Sequence, residues 1–282
     1  MHELKYTHTL CDLCAYFEVS RSGYYNWLKQ GCKLHYKFCY ITADMIKEVF
    51  EEKPKGYRYI NMMLKRKWGL IQNPKTTLRY MRILGLKSPI RKRRYRYSTP
   101  SKVVQQSRIV SPNILNRDFK ADKPLQKLVT DVSYIYHKSG RLYLSVIKDL
   151  YDNSILSYNI SKFNDYNLVY KNVLDIIKRY KKDLNNTILH SDQGYQYTIK
   201  KFKNLLNEYK IIPSNSRKGN CLDNSPCENF FSHLKAEELT LNVPNNEKEL
   251  MESVKKYIKF YNYDRPQLKL KSMTPIEFRS HA

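Results

Sequence analysis

Apolar residues fall at helical spacing through residues 41–50, 60–68 and 75–84. They then give way to the β-branched and aromatic runs of strands near 127–136, 141–149 and 153–160. Pro54-Lys55-Gly56 interrupts the first two helices, Asn73-Pro74 introduces the third, and Gly69 and Gly85 stand where helices should stop. Upstream, residues 10–17 and 24–29 read as two short helices around a turn at 19–23, with Ser20 or Ser22 placed to cap the second. Downstream, residues 165–180 carry Leu168, Val169, Val173, Ile176, Ile177 and Tyr180 on one side, as a helix packed on a sheet does. A strand at 186–191, a helix at 199–209, a short strand at 211–212 and helices at 226–238 and 246–261 follow. The alternation predicts an α/β fold, a mixed-sheet core behind small helical modules.

The expected divisions are a helix-turn-helix-like segment at 1–40, a three-helix module at 41–86, a basic linker at 87–124, the core at 125–240, and a C-terminal helix and tail packed on it at 241–282. The third helix of the module should expose Lys75, Arg79 and Arg82, a plausible DNA-binding face, although a helical bundle that only braces the core fits the same pattern.

Charge narrows the partner. A formal charge of +25 over 282 residues exceeds what solubility needs and favours a polyanion, with nucleic acid ahead of an anionic membrane. The run from Lys87 through Arg91, Lys92, Arg93 and Arg94 to Arg96 has six basic residues and no acidic one, so it should track phosphates in a salt-sensitive way. No apolar run has the length of a membrane span and the N-terminus has no signal-type segment, so the chain is expected in the cytoplasm. Cys11, Cys14, Cys32 and Cys39, with His35 nearby, loosely suggest a zinc site. The first pair lies in an amphipathic helix and the second lacks knuckle spacing, so no structural zinc is expected.

Three acids carry the chemistry. Asp131 sits in the strand-like run at 128–136, Asp192 follows the run at 186–191 and leads into a turn at Gly194, and Glu228 opens a helix. Two carboxylates at strand ends and one on a later helix can converge, and their repulsion then calls for a cation. Oxygen ligands without His or Cys favour Mg²⁺, with Mn²⁺ able to substitute; two such ions per site suit phosphoryl transfer on a nucleic acid. Lys235, seven positions past Glu228, shares its face on a continuous helix and could hold a phosphate there. The loop before Glu228, with Arg217 and Lys218, suits a nucleic-acid backbone. His190 is read as pointing away or supporting the site from behind, His233 as a surface residue, and Asp149 and Asp152 as turn residues between the second and third strands.

Thr130-Asp131, His190-Ser191-Asp192-Gln193-Gly194, the loop from Ser216 to Asn224, and Glu228-Asn229-Phe230-Phe231 through Lys235 resemble the catalytic motifs of bacterial insertion-sequence transposases of the two-reading-frame type. The resemblance runs over about residues 15 to 280 and includes the closing segments 260–267 and 273–278. A Trp is common in the family where Leu128 stands and a His where Gln267 stands. The resemblance implies a ribonuclease H-like core similar to retroviral integrase, with Asp131, Asp192 and Glu228 as the metal-binding catalytic acids. It also implies strand cleavage followed by 3′-hydroxyl strand transfer at the element's ends, through a circular intermediate. Double-stranded DNA, further copies of the chain assembled on it, and an upstream-frame protein or fusion are the implied partners. A nuclease of the same fold that never joins strands, and a non-catalytic DNA-binding regulator, are the alternatives.

Overall fold

The computed structural model describes residues 3–31, 38–90 and 109–281. Arg91, Lys92, Arg93 and Arg94, most of the basic linker, and Cys32 and His35 lie outside the described residues. Cys11 and Cys39 are exposed and Cys14 is buried.

Five strands form one sheet: β1 (Lys127–His137), β2 (Gly140–Asp149), β3 (Ile155–Ser161), β4 (Ile188–Ser191) and β5 (Ile212–Asn215). Their order is β3-β2-β1-β4-β5; the first three are an antiparallel meander, and β4 and β5 run parallel to β1. Pro213 is tolerated because β5 is an edge strand, where a missing N–H costs no ladder bond on the open side. β5 begins at Ile212 and extends past the predicted 211–212.

The sheet is covered on both faces. On one face α6 (Tyr166–Tyr180), α7 (Tyr195–Thr198) and α8 (Lys200–Glu208) bury Leu128, Ile147, Val173, Ile176, Tyr197 and Leu206 together. On the other, α9 (Ser225–Leu234) and α10 (Glu247–Tyr263) bury Val129, Ile135, Leu144, Phe230, Leu234 and Tyr257. Side chains alternate along a strand, so Asp131 and Ser133 share the α9 face with Val129 and Ile135. This is the mixed-sheet α/β core that the apolar pattern predicts.

Before the core come α1 (Leu10–Tyr16), α2 (Arg21–Lys29), α3 (Tyr40–Glu52), α4 (Tyr57–Trp68) and α5 (Pro74–Ile83). Ser20 caps α2 by accepting from the Gly23 N–H, and Asn73 caps α5 by accepting from the Lys75 N–H ahead of Pro74. Ala43, Ile46, Val49, Ile60, Leu64, Tyr80 and Met81 give α3 to α5 their own core. The module is also tied to the rest of the chain: the Arg66 guanidinium donates to both carboxylate oxygens of Glu277, at 2.6 and 2.8 Å. Buried Lys55 donates to Glu237 at 2.6 Å. Glu237 also accepts from Arg265 and from the Tyr257 hydroxyl. Burial works to raise the Glu237 carboxyl, but hydrogen bonds from His233 and Arg265 outweigh it and hold the group well below the usual range. Lys55 is pushed down to about 8 by its burial, against the pull of Glu237. His233 is therefore not the surface residue expected: its Nδ1 lies 3.1 Å from both Glu237 and Arg265. The expectation failed because α10 and the segment after it cover that side of α9.

Asp149 and Asp152 do shape the β2–β3 turn, accepting from the Tyr151 and Ser154 N–H groups. They are also fully buried and ion-paired with Arg279 in α11 (Pro275–Ser280), a role the turn reading lacked. No helix among the described residues is long and apolar enough to cross a membrane.

Candidate active site

The parallel pairing of β1 with β4 runs from Lys127 opposite Ile188 to Val129 opposite His190. Asp131 and Asp192 each stand two residues beyond that last pair, where the strands part side by side. Asp131 Oδ1 accepts from the Val132 N–H and Asp192 Oδ1 from the Gly194 N–H, both at 2.8 Å, which commits one oxygen of each carboxylate to the backbone. A Cβ at position 194 would come within 2.8 Å of Asp192 Oδ1, so glycine is needed there for the approach. Asn215 holds the same turn, donating to the Ser191 hydroxyl and to the Asp192 carbonyl.

Glu228 lies in the first turn of α9. Asn224 donates to the Thr130 carbonyl at 3.1 Å and the Lys148 ammonium donates to the Pro226 carbonyl at 3.2 Å, so this turn is fastened to β1 and β2. The predicted continuous helix to 238 is corrected: α9 stops at Leu234 and a π-helical turn, Lys235–Leu239, follows. Lys235 starts that wider turn and still faces the site, donating to Ser133 at 2.7 Å. Asp131, Ser133, Glu228, Ser232 and Lys235 border one open pocket.

The acids act on one another. Burial first, then the negative charges of Asp192 and Glu228, push the Asp131 carboxyl up to about 7. Burial also raises Glu228. Among the described residues no three acid, His or Cys side chains close into a metal cage. The chemistry of the donors nonetheless fits a hard divalent cation: all are carboxylates, and their mutual repulsion is what such a cation relieves.

Asp131 is protonated in the fold up to about 7 but only to about 3.9 unfolded, so the stability it contributes is lost as pH rises between those values. Asp131→Asn is therefore expected to raise the melting temperature of metal-free protein at pH 8, by on the order of 5 °C, with a smaller gain at pH 5. Thermal unfolding in chelator measures this; an equal shift at both pH values, or a drop at pH 8, contradicts it.

His190 sits behind the acids, its two ring nitrogens 2.9 and 3.0 Å from the Ser214 and Ser216 hydroxyls, and burial pushes it down to about 4. It is a neutral strut for β5. Arg217 pairs with buried Asp223 at 2.8 Å, and Arg117 reaches the same carboxylate at 2.7 Å, so Arg217 shapes the loop as well as standing half-exposed on it. Lys218, Lys75 and Arg82 are exposed; Arg79 is partly buried. The roles of Ser133 and Lys148 escape a sequence reading, and Asn224 enters it only as the last residue of the loop from Ser216.

Residues 121–221 and 228–282 match the integrase core domain family, and residues 41–94 match the HTH-like domain family. The chain is 39% identical over 282 residues to InsK, assigned as the transposase of insertion sequence element IS150 in Escherichia coli (strain K12), covering 99% of this chain and 96% of that protein. It is 28% identical over 228 residues to the transposase InsF for insertion sequence IS3A from the same strain, covering 80% of this chain and 77% of that protein. Among solved structures, the catalytic core domain of the HTLV-2 integrase, in complex with magnesium in a trimeric form, superposes with a TM-score of 0.47 and 16% identity, over 57% of this chain and 99% of that one.

Proposed function

The chain belongs to the bacterial insertion-sequence transposases with an integrase core domain, and from that premise we propose that it cleaves and joins DNA strands at the ends of such an element. The observation that carries the reading is that the Asp131 carboxyl is buried within the field of Asp192 and Glu228, so that burial first and those two charges after it push it up to about 7. These three would hold two Mg²⁺, or Mn²⁺ in their place. Such ions, when bound, supply activation of an attacking oxygen and charge stabilisation of a leaving one. Repulsion among the acids makes binding favourable above pH 7, where Asp131 is ionised, and weaker below it.

The remaining residues hold DNA and keep the acids in place. Lys235, steadied by Ser133, would set its ammonium against a phosphate oxygen of the scissile group. Asn224 and Lys148 fix the turn that carries Glu228. Water attacks a phosphodiester at the element's end in the first step, freeing a 3′-hydroxyl. That hydroxyl attacks a second strand in line in the next, with no covalent bond to the protein. The resemblance extends this to a circular intermediate, to further copies of the chain gathered on DNA, and to an upstream-frame protein or fusion partner. Lys75, Arg79 and Arg82 of α5, and Arg217 and Lys218 of the loop, with Arg91, Lys92, Arg93 and Arg94, are the candidate duplex contacts. We read 41–86 as the module that carries the first group and 125–240 as the catalytic core.

The test is incubation of the full chain with end-containing duplex and Mg²⁺. Cleaved and joined products are expected; hydrolysis without joined product makes the chain a nuclease instead. Lys235→Ala is expected to reduce use of the end about tenfold or more while random-duplex binding falls about twofold, since one phosphate contact is a small part of the total. Equal losses on both would make Lys235 a general phosphate contact.

A further inference from the structure

About a quarter turn round α9 from Glu228 lies a second cavity of about 540 Å³. Ser225, Asn229 and His233, four residues apart along one stripe of α9, form its wall, so it shares a helix with Glu228 but opens elsewhere. Lys120, Lys148, Arg265 and Lys269 also line it, and no carboxylate does. Arg265 is already balanced by Glu237 at 2.8 Å. Lys148 is not: only 4% exposed, it donates to the Pro226 carbonyl and forms no ion pair among the described residues. A buried ammonium without a counter-charge is costly, and so is a buried amide without an acceptor. The cavity holds one of those as well, because the Gln267 side-chain nitrogen is buried there with no hydrogen-bond partner.

Both groups are donors facing a space lined by no acid, so what they lack is an anionic, oxygen-rich ligand. The volume exceeds that of a bare phosphate and suits a ligand of nucleotide size. Phe119 and Tyr151, both only partly buried, supply aromatic surface on which a base can stack. We propose that this cavity binds one unstacked nucleotide of the DNA strand, its phosphate against Lys148 and the amide of Gln267 and its base against the aromatic wall. The proposal rests on DNA being the substrate. It adds a second grip on the strand, beside the acids and across the same helix, so that Glu228 is held between two points of DNA contact.

The experiment titrates the 282-residue chain with a blunt duplex and with a duplex bearing a single-stranded extension, over a range of salt. Wild type, Lys148→Met and Gln267→Glu are compared, and thermal unfolding is followed alongside. Binding of blunt duplex by wild type tests the DNA reading itself, apart from the cavity. Each substitution is expected to weaken binding of the extended duplex about tenfold and to lower the salt slope by about one, with a smaller loss on blunt duplex. Should Lys148→Met fail to fold, Gln267→Glu carries the comparison, since it places a carboxylate where the phosphate would sit. Folded variants with wild-type affinity and slope on the extended duplex overturn the proposal. So does saturation by deoxyadenosine monophosphate or inorganic phosphate alone with an affinity equal to that of the extended duplex, because the ligand is then a free phosphate ester.

Discussion

Asp131→Asn, Asp192→Asn and Glu228→Gln proteins are each expected to lose at least about a thousandfold in strand cleavage and joining, while duplex binding stays within about twofold. Charge stabilisation of a phosphoryl-transfer transition state by bound cations is worth several kcal/mol, and each tenfold in rate is about 1.4 kcal/mol, so losing one of three shared ligands removes at least three decades. The losses should not add: a double variant is expected to be little worse than a single one, because the acids act as a unit around Asp131. Binding survives because phosphate contacts over a surface of charge +25 far outnumber any made through the acids. Strand-joining assays beside gel-shift titrations measure both quantities. A single amide variant with unimpaired turnover would remove the acids from the chemistry.

Arg279→Met is expected to be the most damaging single change to the fold. It leaves Asp149 and Asp152, both fully buried, without the guanidinium that joins them. Stranding a buried charge in this way costs about 3–5 kcal/mol, which for a chain of this size lowers the melting temperature by roughly 8–15 °C. Burial, then the charge of Asp152, already raises Asp149 to about 6 in the presence of Arg279. Its contribution to stability is therefore lost as pH rises from about 4 through 6, and losing the arginine moves the folded-state value higher still. The variant should be partly rescued at pH 5 relative to pH 8. Unfolding scans at both values decide it: a loss that is the same at each pH would show that the arginine acts by packing alone.

What was legible in the chain follows from how local each signal is. The meander β1 to β3 and α6 were readable because strand and helix periods are written in consecutive residues, and Asp131 and Asp192 were readable because each ends or interrupts such a run. Their proximity was also implicit, since two parallel strands carry their downstream residues to the same edge. Buried charge was not legible. Arg279 meets Asp149 across 130 positions, and Lys55 meets Glu237 across 182, so nothing in either neighbourhood announces the partner. His233 read as a surface residue because Arg265 reaches it from 32 positions on, although Glu237 is only four away, and Lys148 drew no reading at all. The π-helical turn at Lys235–Leu239 was equally hidden, because its residues are good helix formers and carry no local sign of a wider turn.

Repulsion among carboxylates is the physical centre of the site, and the most direct measurement is of where a divalent cation goes. Crystals of the full chain soaked in Mn²⁺ can be read by anomalous scattering, which locates the ion without assumption about its ligands. A peak bounded by the side chains of Asp131, Asp192 and Glu228 is the expected result, and it should vanish in the Asp131→Asn protein. Ordered carboxylates at all three positions with no peak among them at saturating Mn²⁺ would contradict the assignment.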